Sequence, residues 1–151
     1  MKNLFNEKDK DELLQRMSEL ECETLPKWGK MNAHQVVVHM SDPFRTAFGE
    51  RPAQFNPGAF SKWPFNKLIS QYLPWPKSAP TAPEFNPSVN GSQLIEFEYD
   101  KKELTDLIQR FYRHQNSTAF PIHPAFGKLN NNEWARLMWR HINHHLIQFG
   151  I

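Results

Sequence analysis

The segment WRHINHHLIQFG, residues 139–150, holds three of the chain's seven histidines within five positions: His141, His144 and His145. An imidazole can bind a cation, carry a proton or sit neutral in a core, and spacing decides among these. Stepping about 100° per residue from Trp134 along a helix places Met138, Ile142 and Phe149 in one apolar sector about 80° wide. His141 and His145 fall in or beside that sector, whereas His144 falls about 80° from Trp134 on the other side. Two inward imidazoles four residues apart stack on one helix face, so their ring nitrogens can reach a common point. As ordinary core residues each would need its own carbonyl or carboxylate, because an unpaired buried polar group costs about 1–3 kcal/mol. A divalent metal satisfies both at once, and H-x-x-x-H on a helix is the spacing by which zinc enzymes present two imidazoles. The glutamate of an HExxH pattern is missing, since Ile142, Asn143 and His144 fill the intervening positions.

Two imidazoles are too few for a tight site, so a third ligand is expected from His34, His39, His114 or His123. His39 lies in QVVVHMSD, where Val37, Met40, Phe44 and Phe48 form an apolar ridge. His39 projects from nearly the opposite side, along a polar stripe with Gln35, Asp42 and Thr46. Such a stripe is either a solvated face or the wall of a wet central pocket. Pro43 removes the amide that would bond the His39 carbonyl and is expected to kink the helix.

These side chains need elements to position them. Residues 7–22 begin after Asn6 with acids in the first turn and put Leu13, Leu14, Met17 and Leu20 on one stripe, an amphipathic helix. Asn32 and Gln35 form a capping box that opens a second helix running to about Phe48. Residues 49–91 carry eight of the twelve prolines, in phrases such as FNPGAF and LPWPKSAPTAPEFNP. That density excludes long regular elements, although residues 66–73 can make about two helical turns. The same stretch is rich in Phe and Trp, so it is expected to be an ordered insert packed on the domain. QLIEFEY alternates as a short extended piece, Asp100 to Glu103 matches a capping box, and a helix follows to about His114. Asn130 and Glu133 cap the last helix, which runs from about Asn131 to Gln148 and stops before Gly150. Four substantial helices around one core predict an all-α chain, a single four-helix-bundle domain over 1–151.

Composition narrows the function classes. With 39% hydrophobic and 23% charged residues the chain is globular. Its net charge of +2 is spread without a basic tract, which argues against nucleic acid as a partner. No apolar run approaches the ~18 residues of a membrane span. The first residues, MKNLFNEKDKDELLQ, become charged too early for a secretory signal, and a single Cys22 fits a reducing, cytoplasmic setting.

WGKMNAHQVVVHMSD and the C-terminal HPAFGKLNNNEWARLMWRHINHHLIQFG together resemble the DinB/YfiT-like superfamily, in a branch catalogued as a domain of unknown function. PTAPEF, in the insert, fits the same branch. The resemblance implies a four-helix bundle of DinB/YfiT type, with a long insert between its second and third helices. It also implies a divalent metal on three histidines, one from the second helix and two from the last. By position these are His39, His141 and His145, with His144 the nearest competitor. Zinc, nickel, iron and copper all suit imidazole. Three neutral ligands leave an open position, the layout of a catalytic rather than a structural site. Characterised members of the superfamily include thiol-dependent transferases and isomerases. The expected activity is thus a transferase or hydrolase-like reaction in which the metal activates a low-molecular-weight thiol or water against a small-molecule substrate. Gln35, Asp42 and His123 are candidates to orient ligands or substrate. Trp63, Phe65 and Trp75 of the insert are candidates for an apolar pocket wall. Glu133 is assigned to capping, and His34 and His114 to the surface or helix ends. Related bundles often pair, which extends the expectation to a homodimer. Metal affinity is expected to fall as the imidazoles protonate near pH ~6. A non-catalytic metal-binding or stress-associated protein and a metal-free binding or dimerisation module are the rival readings.

Overall fold

A computed structural model describes residues 1–54, 62–77, 80–117 and 119–151. The FNPGAF stretch of the expected insert, residues 55–60, lies outside these. The described residues form five α-helices and no β-strand: α1 Glu7–Ser18, α2 Ala33–Ala47, α3 Phe65–Gln71, α4 Phe97–Arg113 and α5 Asn131–Phe149. None is long and apolar enough to cross a membrane.

The helix starts follow local chemistry. The Asn6 side chain accepts from the Asp9 amide, and Asn32 and Asn130 each form a reciprocal capping box, with Gln35 and Glu133. α5 ends at Gly150, whose φ of +82° few side chains tolerate. α1 stops at Ser18, earlier than its apolar pattern suggests, so Cys22 lies beyond the helix, exposed and unpaired. The expected extended piece QLIEFEY and capping box at Asp100 are not found. Glu96 caps α4 instead, its carboxylate accepting from the Glu98 and Tyr99 amides, so Phe97, Glu98 and Tyr99 are helical. Asp100 lies inside the first turn, its amide bonded to the Glu96 carbonyl at 2.8 Å, and its carboxylate is engaged by His34 Nε2 at 2.6 Å and by the Ile95 amide at 2.9 Å. The same bond takes His34 off the surface and ties α2 to α4. His114 is the C-cap of α4, beside the rings of Phe48 and Phe120.

α2 is the central element. It packs along α4, against α5, and beneath a 3-10 turn at Pro83–Phe85; α1 and α3 lie on α5, and α1 also meets α4. Val37, Met40 and Phe44 enter one core with Leu13 and Met17 of α1, Leu104, Ile108 and Phe111 of α4, and Trp134, Met138 and Ile142 of α5. Eleven of the fifteen α2 residues are buried, so the helix is covered on both sides. The polar stripe is therefore not a solvated face: His39, Asp42 and Thr46 are 6%, 0% and 7% exposed.

Candidate metal centre

The two helices that form the centre are placed by that core. Phe44, Met40, Met138 and Ile142 bury the apolar faces of α2 and α5, which turns His39 toward His141 and His145. The three histidines offer ring nitrogens that all lie within 4.8 Å of one another, and no other His, Cys, Asp or Glu group among the described residues does this. His141 Nε2 is 3.0 Å from His39 Nε2 and 3.2 Å from His145 Nε2. Their ring centroids are mutually 4.9 Å apart and nearly perpendicular.

Hydrogen bonds on the far sides of the rings assign the protons. His39 Nδ1 donates to the Phe85 carbonyl at 2.7 Å. His145 Nδ1 donates to Gln148 Oε1 at 2.7 Å, while Gln148 Nε2 donates to the Trp28 carbonyl at 2.7 Å, which settles the amide's orientation. With those protons on Nδ1, the Nε2 atoms of His39 and His145 present lone pairs. A proton on His141 Nε2 can serve one of them and leaves the other facing a nitrogen. A single cation placed among them would meet the lone pairs together. Two imidazole nitrogens on a shared ion at ~2.0–2.1 Å stand about 3–3.4 Å apart, which matches the two separations along this cluster. The donor set, three neutral imidazoles of which His39 and His145 are oriented from behind, fits a divalent ion that accepts nitrogen ligands.

Burial keeps the imidazoles neutral. It pushes His39 below its ordinary value, partly offset by the Phe85 carbonyl and the charge of Asp42. His141 is lowered well below the usual range by burial and then by its histidine neighbours. His145 is lowered to about 3 by burial and by His39, against the opposing bond to Gln148. Protons would therefore compete for these nitrogens only below the pH ~6 expected from sequence.

The other candidates separate clearly. His144 is outside the converging set; its ring meets Trp28 at 6.1 Å and Trp75 at 5.9 Å. Trp75 also lies 5.9 Å from His141 and is the one proposed wall residue beside the cluster. Trp63 and Phe65 are 80% and 55% exposed and stand largely in solvent, because α3 faces α5 through Asn66, Ser70 and Gln71. Gln35 is spent on its capping box and on Ser88, and Asp42 bonds Ser92; neither hydrogen-bonds a histidine of the cluster, although the charge of Asp42 acts on His39. His123 Nδ1 accepts the amides of Ala125 and Phe126, both at 3.1 Å, and its ring lies 4.8 Å from Trp134, so it organises the turn before α5. Glu133 caps α5 and pairs with Lys67.

Sequence reasoning missed Gln148, Trp28 and Phe85. Gln148 left a trace, a polar residue three positions after His145 that is only 5% exposed. Trp28 and Phe85 act through carbonyl groups, which every residue has, and left none.

No curated protein and no solved structure is matched by the chain. A family model described as a protein of unknown function, DUF1569, matches residues 4–150, from the residue before Phe5 to the cap of α5, and takes in all three histidines. Spanning nearly the whole chain, that match shows that the protein belongs to the DUF1569 family.

Proposed function

We propose that this protein is a divalent-metal-dependent enzyme of the DinB/YfiT type, with His39, His141 and His145 as its ligands. The observation that carries the reading is the proton count: two of three converging Nε2 atoms have their ring protons committed elsewhere, to Phe85 and Gln148. On this reading α1, α2, α4 and α5 are the four bundle helices, and the segment holding α3 and the 3-10 turn is the insert.

When bound, zinc, nickel or iron would supply Lewis acidity that lowers the pKa of a thiol or water at the open position. The side chains contribute the rest. His39 is sealed behind the Phe85 segment, whereas His141 and His145 keep a minor part of their surface exposed, so approach is from the α5 side. Trp75 and His144 flank that approach and offer flat apolar contact to a small electrophile. Among the described residues no carboxylate bonds any of the three rings, so no bonded anion repels an incoming thiolate at the cluster. We therefore favour transfer of a low-molecular-weight thiol, with hydrolysis by activated water as the variant chemistry. The free, exposed Cys22 fits a reducing compartment, and the proposal extends to the cytoplasm and to a homodimer.

The test is elemental analysis of untagged, chelator-free protein. About one metal ion per chain, lost in His145→Ala, supports the reading; near-zero stoichiometry after reconstitution with zinc, nickel and ferrous iron refutes it. Thiol-transfer assays with model electrophiles, metal-loaded against apo, then separate an enzyme from a protein that only stores or senses the ion.

A further inference from the structure

The segment from Pro83 to Ser92 is built as one unit. The Asn90 amide donates to the Pro83 carbonyl at 3.1 Å, and the Val89 and Gly91 amides donate to the Asn86 carbonyl at 2.9 and 2.8 Å. A Cβ at Gly91 would lie 2.6 Å from the Asn86 backbone carbon, so the loop closes only with glycine there. This unit is bolted to α2 at its far end. The carboxylate of Asp42, 0% exposed, accepts the Ser92 amide at 3.0 Å and the Ser92 hydroxyl. Ser92 Oγ accepts from Arg51 at 3.0 Å, and Arg51 also donates to the carbonyls of Glu84, at 2.9 Å, and Asn90. Near the other end of the unit sits the Phe85 carbonyl, 2.7 Å from His39 Nδ1.

A buried carboxylate three residues from His39 thus makes its shortest hydrogen bonds to the loop, with a longer one at 3.4 Å from Arg45 of α2, and the loop supplies the acceptor that sets the His39 tautomer. We propose that Asp42, Ser92 and Arg51 are positioning residues that act through this clasp, holding Phe85 so that His39 keeps its proton on Nδ1 and its lone pair on Nε2. The metal part of this inference rests on the proposed metal centre, but the tautomer part does not. A metal that needs the Nε2 lone pair binds better when the clasp is docked, and by linkage it must hold the clasp down in return. Sequence position alone conceals this, since residues 42, 51, 85 and 92 meet only when the loop folds back.

The experiment uses the full chain. Long-range proton–nitrogen NMR of the apo protein reads the His39 tautomer, and titration with zinc reads affinity. Wild type is expected to show His39 protonated at Nδ1. Ser92→Ala and Asp42→Asn are expected to mix the tautomers and weaken zinc about tenfold, within the range for losing an outer partner of a ligand. Ser92→Thr, which keeps the hydroxyl, is expected to restore both. In wild type the Ser92 amide is expected to exchange about tenfold more slowly at saturating zinc. Should Asp42→Asn fail to fold, Ser92→Ala with its threonine rescue decides the matter. Unchanged His39 resonances in Ser92→Ala overturn the inference, as does a tautomer change that Ser92→Thr fails to reverse. If wild type takes up no zinc while Ser92→Ala still shifts the tautomer, the metal reading fails and the clasp stands.

Discussion

Replacing Gln148 by methionine, which has nearly the same length, removes two hydrogen bonds and little volume. In the native protein the amide accepts from His145 Nδ1 and donates to the Trp28 carbonyl, both at 2.7 Å, and Gln148 is 5% exposed. The variant leaves a half-buried N–H and a carbonyl without these partners. Each such group costs about 1–3 kcal/mol, and losing the buried amide returns part of that, so the expected loss is about 2–4 kcal/mol. For a domain of this size that is about 5–15 °C in Tm. The second consequence is chemical: with its Nδ1 partner gone, the His145 ring is free to swing or change tautomer, and zinc affinity is expected to drop about 10–100-fold. Gln148→Glu makes the contrast. A carboxylate keeps the orienting bond to Nδ1 but sets its second oxygen against the Trp28 carbonyl, so zinc binding survives at a cost in stability while the His145 pKa rises from about 3. Urea denaturation of the apo variants and competitive zinc titration measure the two effects. A methionine variant that unfolds at the wild-type midpoint and binds zinc with wild-type affinity would refute the relay from Trp28 through Gln148 to His145.

Three further outcomes are expected. Gly29 has φ +86°, and a Cβ there would lie 2.4 Å from Gln148 Nε2; Gly29→Ala should cost at least the ~1–2 kcal/mol of a strained left-handed residue and should broaden the His145 resonances in NMR. The buried histidines give the apo protein an acid-sensitive window. Their folded values are pushed below the ~6.5 of the unfolded chain, to about 3 for His145 and His123. The unfolded state thus binds more protons in between, and stability present above ~6.5 is lost as pH falls, by about 1.4 kcal/mol per pH unit for each such histidine. Urea midpoints from about pH 7.5 to 5 check this, and a flat profile contradicts it. His144→Ala should keep full metal stoichiometry, whereas His39→Ala should lose it; equal losses in elemental analysis would mean that the three-histidine set is wrongly drawn.

Much of the molecule was legible locally. Asn32 with Gln35 and Asn130 with Glu133 are capping pairs because a short side chain and an amide or acid three residues on satisfy each other's backbone groups, whatever the tertiary context. The inward pair His141 and His145 followed from the 3.6-residue period alone, and so did the turning aside of His144. QLIEFEY misled because alternation over a few residues is weak against a good cap, and Glu96 with its two amides made the first turn of α4 from the end of that pattern. The His39 side of α2 was ambiguous for another reason: a polar stripe looks the same in sequence whether water or a folded-back loop covers it. Only the tertiary structure decided that Pro83–Ser92 does the covering and that Asp42 hydrogen-bonds the loop and not the histidine itself. It alone also supplied the Phe85 and Trp28 carbonyls. Helix periodicity and capping are short-range physics written in neighbouring residues. A backbone carbonyl brought across 46 positions to His39 carries no residue identity, so only the folded chain could place it.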